Sequence, residues 1–189
     1  MAAWLDATPP TFRFSVKAQR GGSWRAFGGE PEAGLPWLTD PYRAFGARLG
    51  TVFFRVPDPV SRDDGRLAAF LAAWPRDLPL TVEFRDPSWQ VDETMVALAA
   101  TGAALCAVDD PDEPEPPTLR RTAPFLYLRL RRHDYTPDEI AGWADRLDPF
   151  LDAGDDAFVF FRHDPVGRGA ELALELAAAV AARRGGDPG

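Results

Sequence analysis

The sequence predicts an α/β protein with a TIM-barrel-like (β/α) fold of six recognisable strand–helix units, and so an incomplete version of the eight-unit barrel. Three observations lead to this prediction. Six short runs have the composition of β-strands, and most of them are followed by a helical pattern. The units are roughly 25 to 30 residues long, as parallel strands joined by crossover helices require. Polar and apolar residues also alternate in several runs, whereas an open sheet covered on both faces favours apolar residues throughout.

The predicted strands are short runs in which β-branched and aromatic residues are bounded by turn residues. They are Phe12–Ala18, Thr51–Val56, Leu80–Arg85, Ala103–Asp109, Phe125–Arg131 and Phe158–His163.

The predicted helices are recognised by apolar residues at helical spacing and by signals at their ends. Thr136, Pro137 and Glu139 give the clearest start, a capping box with proline at the first helical position. Gly50 and Gly102 are predicted to end the helices before them. The predicted helices are Pro41–Leu49, Arg66–Trp74, Val91–Thr101, one that opens at Pro137, and one from Gly169 to Arg184.

Two stretches interrupt the strand–helix repeat. Residues 20–40 are predicted to form a glycine-rich loop that holds Trp24 and Trp37, and residues 109–118 (DDPDEPEPPT) an acidic, proline-rich loop. Both follow strands, on the side where α/β proteins carry their ligand loops. The acidic loop has no fixed carboxylate spacing, so a solvated surface segment is the favoured interpretation. We expect a single domain over residues 1–184 and a flexible tail at 185–189.

Composition restricts the class of function. The chain of 189 residues has a net charge of -8, so it has no overall positive field to attract nucleic acid or anionic membranes. Its one cysteine, Cys106, excludes an internal disulfide and suits a reducing compartment. The start of the sequence has no signal-peptide pattern, and the most apolar tract is too short and too charged to span a bilayer. The prediction is a cytoplasmic protein without membrane association.

Charged residues lie late in the predicted strands, at the end where barrel enzymes place their active sites. Because side chains two positions apart share a face of a strand, Glu83 and Arg85 lie opposite Val82 and Phe84. Arginine offers a planar donor pair that matches phosphate or carboxylate. We therefore expect a small anionic ligand at this end of the strands. An internal network of ion pairs without any ligand explains the same residues equally well.

The candidate site residues follow from this arrangement. Glu83 is the first candidate for a general acid or base and Asp109 the second. Trp89, just beyond a strand, is a candidate ligand contact, with packing as its alternative role. The predicted ligand-binding residues are Lys17, Arg55, Arg85, Trp89, Arg129 and Arg131.

Neither a metal nor a cofactor is predicted. The two histidines, His133 and His163, stand in no metal-binding spacing. No dinucleotide-binding, P-loop or serine-hydrolase motif occurs in the sequence.

Four phrases resemble, in order, the YecE-like family, also known as domain of unknown function seventy-two. They are WLDATPPTFRFSVKA (4–18), VEFRDPSW (82–89), FLYLRLRRHDYTPDEIAGWADRL (125–147) and FVFFRHDPVGRGAELALELA (158–177). The resemblance implies a TIM-barrel-like fold with no established function. The polar motif residues that it carries over are Lys17, Glu83, Arg85, Trp89, Arg129 and Tyr135.

The sequence departs from the family pattern in two respects. The family's first strand, of the type Gly-Thr-Ser-Gly-Trp, and its second strand have no counterpart here, which agrees with six predicted strands. A gap of this kind leaves Phe12–Ala18 and Phe158–His163 as edge strands, so we expect an upstream start, a truncated gene product, or self-association or a partner that completes the barrel. Arg55, Arg131 and Arg132 also differ from the usual family residues and add positive charge.

Three functional hypotheses remain. The first is a barrel that binds or processes a small, phosphate-bearing ligand, whether or not it is an enzyme. The second is a barrel that interacts with nucleic acid, which the net charge of -8 disfavours. The third is a non-catalytic remnant that lacks part of its site.

Overall fold

Strands and helices alternate along the chain, as the apolar runs predict. The computed structural model describes residues 2–185, and its strands are β1 (Phe14–Lys17), β2 (Leu49–Arg55), β3 (Leu80–Glu83), β4 (Ala104–Asp109), β5 (Phe125–Leu130) and β6 (Asp156–Phe161). All neighbouring strands are parallel and follow one another in sequence order. The six strands within residues 2–185 therefore confirm an α/β, TIM-barrel-like fold that is incomplete. Each strand end lies within two residues of its predicted position.

The helices join these strands in the expected order. They are α1 (Ala2–Asp6), α2 (Arg20–Gly28), α3 (Pro31–Thr39), α4 (Asp64–Ala73), α5 (Asp92–Thr101), α6 (Pro137–Asp152) and α7 (Arg168–Arg183), with 3-10 segments at Asp40–Arg48 and Pro87–Trp89. Across the described residues, no helix has the length and apolar character needed to cross a membrane. The chain groups into two compact units, residues 1–105 and 106–189.

In residues 1–105 the core lies on one face of the strands. Val52, Phe54 and Val82 are fully buried there. Phe27 of α2 and Phe70 of α4 pack on this face, with the Phe54 and Phe70 ring centroids 4.5 Å apart. The predicted alternation of faces is confirmed in these strands, because the apolar positions are the ones that pack against the helices.

The prediction of a loop over residues 20–40 is wrong, because α2 and α3 occupy most of this stretch. The side-chain oxygen of Gln19 accepts a hydrogen bond from the Gly22 N–H at 2.5 Å and caps α2. Gly22 and Gly34, which made a helix look unfavourable in this stretch, lie where the two helices pack together. A Cβ on Gly34 of α3 would stand 3.1 Å from the Ala26 backbone of α2, so glycine allows the two helices to approach closely.

The segment before β2 also differs from the prediction. The expected helix Pro41–Leu49 is a 3-10 segment, Asp40–Arg48, interrupted at Gly46, whose φ is 53°. Gly50 does not end a helix but lies inside β2. The prediction at the end of α5 is confirmed, since Gly102 has a φ of 72° and follows Thr101.

In residues 106–189 the leucines of β5 form the centre of the core. Leu126, Leu128 and Leu130 pack with Trp143 of α6 and Leu172 of α7. The predicted tail at 185–189 lies outside the described residues except for Gly185, which follows the end of α7.

The predicted capping box at the start of α6 is confirmed. The Thr136 Oγ1 accepts from the Glu139 N–H at 3.3 Å, and the Glu139 Oε2 accepts from the Thr136 N–H at 2.7 Å. This start directs the chain from β5 into α6.

Candidate functional site

A cavity of about 330 Å³ lies at the carboxyl ends of β1 and β2, in the unit formed by residues 1–105. This is the end of the strands at which α/β proteins bind their ligands. The lining residues come from both strand ends, from the first turns of α2 and from the loop after β2. They are Lys17, Ala18, Arg20, Ser23, Trp24, Arg55, Val56, Pro57 and Asp58. We call this cavity the cationic cavity.

Strand register places its first two cations. Lys17 ends β1 and Arg55 ends β2. The Ala18 N–H donates to the Phe53 carbonyl at 2.8 Å, so the pairing of β1 with β2 continues to the last residue before the turn. Both cations lie on the polar face of their strands, opposite Val16 and the core, as the sequence predicts.

The turn into α2 places the third cation. Because Gln19 caps α2 directly after β1, Arg20 stands at the start of the helix beside the end of the strand. Residues four positions apart lie on the same face of a helix, so Trp24 follows Arg20 by one turn on the same side. Ala26 and Phe27 are buried instead and attach the other face of α2 to the core.

The charges of the lining residues do not cancel. Arg55 forms an ion pair with Asp58, with 2.5 Å between Nη2 and Oδ2. Within residues 2–185, Lys17 and Arg20 have no carboxylate partner within 4.0 Å. Three cations and one carboxylate thus line a cavity in a protein whose net charge is -8. The local field is positive although the chain as a whole is acidic.

Glu83 stands behind Arg55 rather than in the cavity lining. Arg55 and Glu83 are register partners on β2 and β3, and Nε lies 3.4 Å from Oε1. Glu83 has no exposed surface, whereas a third of the Arg55 side chain is exposed. Arg55 therefore links a buried carboxylate to the exposed Asp58, and this contact holds the guanidinium at the cavity.

The structure places the other two predicted residues of this unit differently. Arg85 is exposed and lies two residues beyond the end of β3. Trp89 is fully buried, stacks on Phe84 with 4.6 Å between centroids, and donates from Nε1 to the Val60 carbonyl at 2.9 Å. These contacts give Trp89 the packing role that was its alternative interpretation.

Asp109, in residues 106–189, belongs to a separate set of hydrogen bonds. Its carboxylate is 1% exposed and accepts from the Tyr135 hydroxyl at 2.7 Å and from the Arg132 Nε at 3.0 Å. Burial, and then the hydrogen bond to Asp109, raise the pKa of Tyr135 well above its ordinary value. Asp109 therefore has protein donors on both oxygens.

The position of Asp109 corrects one expectation about faces. Its register partner on β5 is Leu130, which has no exposed surface and packs in the core. Asp109 thus points to the helix-covered side of the strands, whereas the polar face of β5 carries Tyr127 and Arg129. No local pattern indicates this position, because a charged residue at a strand end predicts the polar face.

The Asp109 side chain borders a second cavity of about 300 Å³, which is lined by Asp109, Pro114, Pro116, Arg132, Tyr135, Glu139, Gly142, Trp143 and Arg146. Arg132 also donates to the Glu113 carbonyl at 3.1 Å, and Arg146 donates to the Pro117 carbonyl. Residues 111–116 of the acidic, proline-rich loop are exposed, as predicted for a solvated surface segment, and two arginines attach the loop to the protein through its backbone carbonyls.

Arg129 and Arg131 lie at the end of β5. Arg129 is half-buried on the strand, on the face of Tyr127, whose ring centroid lies 5.1 Å from that of Phe160 on β6. Arg131 follows the strand, and its N–H donates to the Asp109 carbonyl at 3.0 Å. Within residues 2–185, no group of three or more histidine, cysteine, aspartate or glutamate side chains is placed to hold a metal ion.

Four lining residues with polar or aromatic side chains were not predicted as site residues, namely Arg20, Ser23, Trp24 and Asp58. The spacing of Arg20 and Trp24 was a usable signal, since it is that of one helical turn. Gly21 and Gly22 lie between these two residues, and glycine pairs favour a loop over a helix.

Comparisons with known proteins agree with the fold. A crystal structure of a DUF72 family protein from Thermotoga maritima MSB8 is 22% identical, with a TM-score of 0.78, 94% of this chain covered and 76% of that chain covered. Two crystal structures of a DUF72 family protein from Enterococcus faecalis V583 are 21% and 22% identical, with TM-scores of 0.77 and 0.75. Each alignment covers 95% of this chain, and the two cover 78% and 82% of the Enterococcus chain.

A search of curated proteins finds none that matches this chain. The model of the family described as "Protein of unknown function DUF72" matches residues 1–188. This is the family that the sequence resemblance indicates, and the match extends over both compact units. The chain belongs to the DUF72 family.

Proposed function

We propose that the cationic cavity binds a small, phosphate-bearing anion. The observation that carries this proposal is the presence of Lys17 and Arg20 in the cavity lining with no carboxylate within 4.0 Å among the described residues, next to Arg55. An internal ion-pair network explains Arg55, which has two carboxylate partners. It does not explain the other two cations.

The chemistry of the three side chains suits a phosphate group. Arginine can donate two parallel hydrogen bonds to a phosphate, and lysine adds a compact positive charge. Together with Asp58 and the buried Glu83, the three cations leave one net positive charge, and neither carboxylate pairs with Lys17 or Arg20. A phosphate group therefore meets a site of opposite charge.

Glu83 acts in this proposal as a positioning residue. Its contact with Arg55 fixes one side of the guanidinium, and an incoming anion competes with Asp58 for the other side. Binding is the function that these contacts support. The roles of Glu83 and Asp109 in proton transfer stay predictions.

The experiment is a calorimetric titration of the whole chain with inorganic phosphate at constant ionic strength. The test variant is Lys17→Met with Arg20→Met, and the control is Arg76→Met with Arg66→Met. Both control residues lie outside the cavity lining. Because a hydrogen bond to a charged group contributes about 1.5–3 kcal/mol, we expect each lost cation to weaken binding about tenfold or more. Absence of phosphate binding in the wild type, or equal weakening in the control, would contradict the proposal.

A further inference from the structure

Trp24 is an exposed aromatic residue that the core does not use. Its side chain lies on α2 and is 43% exposed, whereas Ala26 and Phe27 of the same helix have no exposed surface. Within residues 2–185, no other ring and no guanidinium lies against the Trp24 indole. A single exposed apolar residue is common on protein surfaces. Trp24 differs because it lines the cationic cavity.

The indole lines the same cavity as the three cations. Arg20 and Trp24 are separated by one turn of α2, so their side chains are neighbours on the same face of the helix. Gly28, one turn further on, has no side chain to cover the ring, and a Cβ built there would lie 3.8 Å from the Trp24 Cε3. An aromatic surface and a group of cations therefore share one cavity.

We propose that the ligand of the cationic cavity is an aromatic phosphate, whose planar ring packs against Trp24 while its phosphate binds Lys17, Arg20 and Arg55. This inference rests on the proposed function, because the phosphate group supplies most of the attraction. A cavity of about 330 Å³ falls in the size range of small-molecule sites, which combine apolar walls with a few polar anchors. A flat ring gains more from an indole than a saturated ring does, because two π-systems stack favourably.

Three probes separate the parts of this inference. Inorganic phosphate tests the anion site, phenyl phosphate adds a planar ring, and cyclohexyl phosphate adds a saturated ring of similar size. Each is titrated calorimetrically into the whole chain. The variants are Trp24→Leu, Trp24→Tyr, which keeps a ring, and Trp37→Leu. The last is the control, since Trp37 lies on α3, is 60% exposed and does not line the cavity.

We expect the wild type to bind phenyl phosphate about tenfold more tightly than cyclohexyl phosphate, as stacking on an aromatic side chain implies. Trp24→Leu should remove this preference, so that phenyl phosphate and cyclohexyl phosphate bind this variant with equal affinity. Trp24→Tyr and Trp37→Leu should keep the preference. Circular dichroism spectra of all variants confirm that they fold.

The outcomes distinguish the two proposals. If all three probes bind with equal affinity, or if Trp24→Leu leaves the preference intact, the aromatic ligand is wrong and the anion site stands. If none of the three probes binds, the anion site is wrong and this inference fails with it.

Discussion

Arg55 and Glu83 are register partners on neighbouring parallel strands, and their side chains meet with 3.4 Å between Nε and Oε1. Glu83 has no exposed surface, and burying a carboxylate is costly unless it is compensated. Glu83, in the predicted strand LTVEFR, therefore tolerates burial in part because Arg55 of β2 places a positive charge beside it. The same contact holds the Arg55 guanidinium at the cationic cavity.

Arg55→Met should destabilise the protein. The change removes a positive charge beside a fully buried carboxylate, and breaking a buried ion pair from one side costs about 3–5 kcal/mol. Because the Arg55 side chain is partly exposed, we expect about 3 kcal/mol, measured as the free energy of unfolding in urea. Arg43→Met is the control, since Arg43 pairs with exposed carboxylates, and it should have little effect. Equal losses in the two variants would show that the Arg55–Glu83 contact has no special role.

Tyr135→Phe should change how stability depends on alkaline pH. Burial and the bond to Asp109 raise the pKa of Tyr135, so the folded protein keeps the hydroxyl proton when the unfolded chain loses it at about pH 10. The stability that this proton contributes is present below pH 10 and is lost as the pH rises above it. The free energy of unfolding in urea should therefore fall more steeply above pH 10 for the wild type than for Tyr135→Phe. Identical slopes for the wild type and Tyr135→Phe would refute the linkage.

Asp155→Asn should destabilise the protein at neutral pH and much less in acid. Arg121 donates two hydrogen bonds of 2.6 Å to this carboxylate and lowers its pKa. A lowered carboxyl pKa gives stability above the ordinary value of 3.8, and that stability is lost as the pH falls below it. We expect the Tm of Asp155→Asn to be about 2–4 °C lower at pH 7, with a smaller difference near pH 3. Asp156→Asn, at the neighbouring exposed position, is the control, and an equal loss of Tm at pH 7 in the two variants would contradict the role of the Arg121–Asp155 contact.

Thr136→Ala should cost about 1 kcal/mol, the usual contribution of an N-cap hydroxyl. The hydroxyl accepts from the Glu139 N–H and opens α6, whose Trp143 packs in the core of residues 106–189. Urea unfolding measures the loss. Ser61→Ala, an exposed serine outside any helix, is the comparison, and a loss no larger than that of Ser61→Ala would mean that the cap does not stabilise α6.

Local patterns in the sequence predicted the strands well because the signal lies in neighbouring residues. Alternation in Thr51–Val56 and Leu126–Leu130 distinguished the core face from the polar face, and the packing of Phe54 and Leu128 confirms it. The capping box at Thr136 needs only four residues and was also predicted. Such features depend little on the rest of the fold.

The features that the sequence did not predict depend on contacts between distant residues. Gly22 and Gly34 indicated a loop, but they lie where α2 and α3 approach closely, and this approach is set by tertiary packing. Asp109 was expected on the polar face, but Tyr135 and Arg132 supply donors on the other face. For the same reason the cationic cavity was predicted only through its strand residues, Lys17 and Arg55.

Anion binding in the cationic cavity is tested most directly by a crystal structure of the protein soaked with phosphate, or with tungstate as a heavier tetrahedral oxyanion. We expect density for one anion within hydrogen-bonding distance of Lys17, Arg20 and Arg55, with Arg55 still in contact with Glu83. Density elsewhere on the protein, with the cationic cavity left without an anion at saturating concentration, would contradict it.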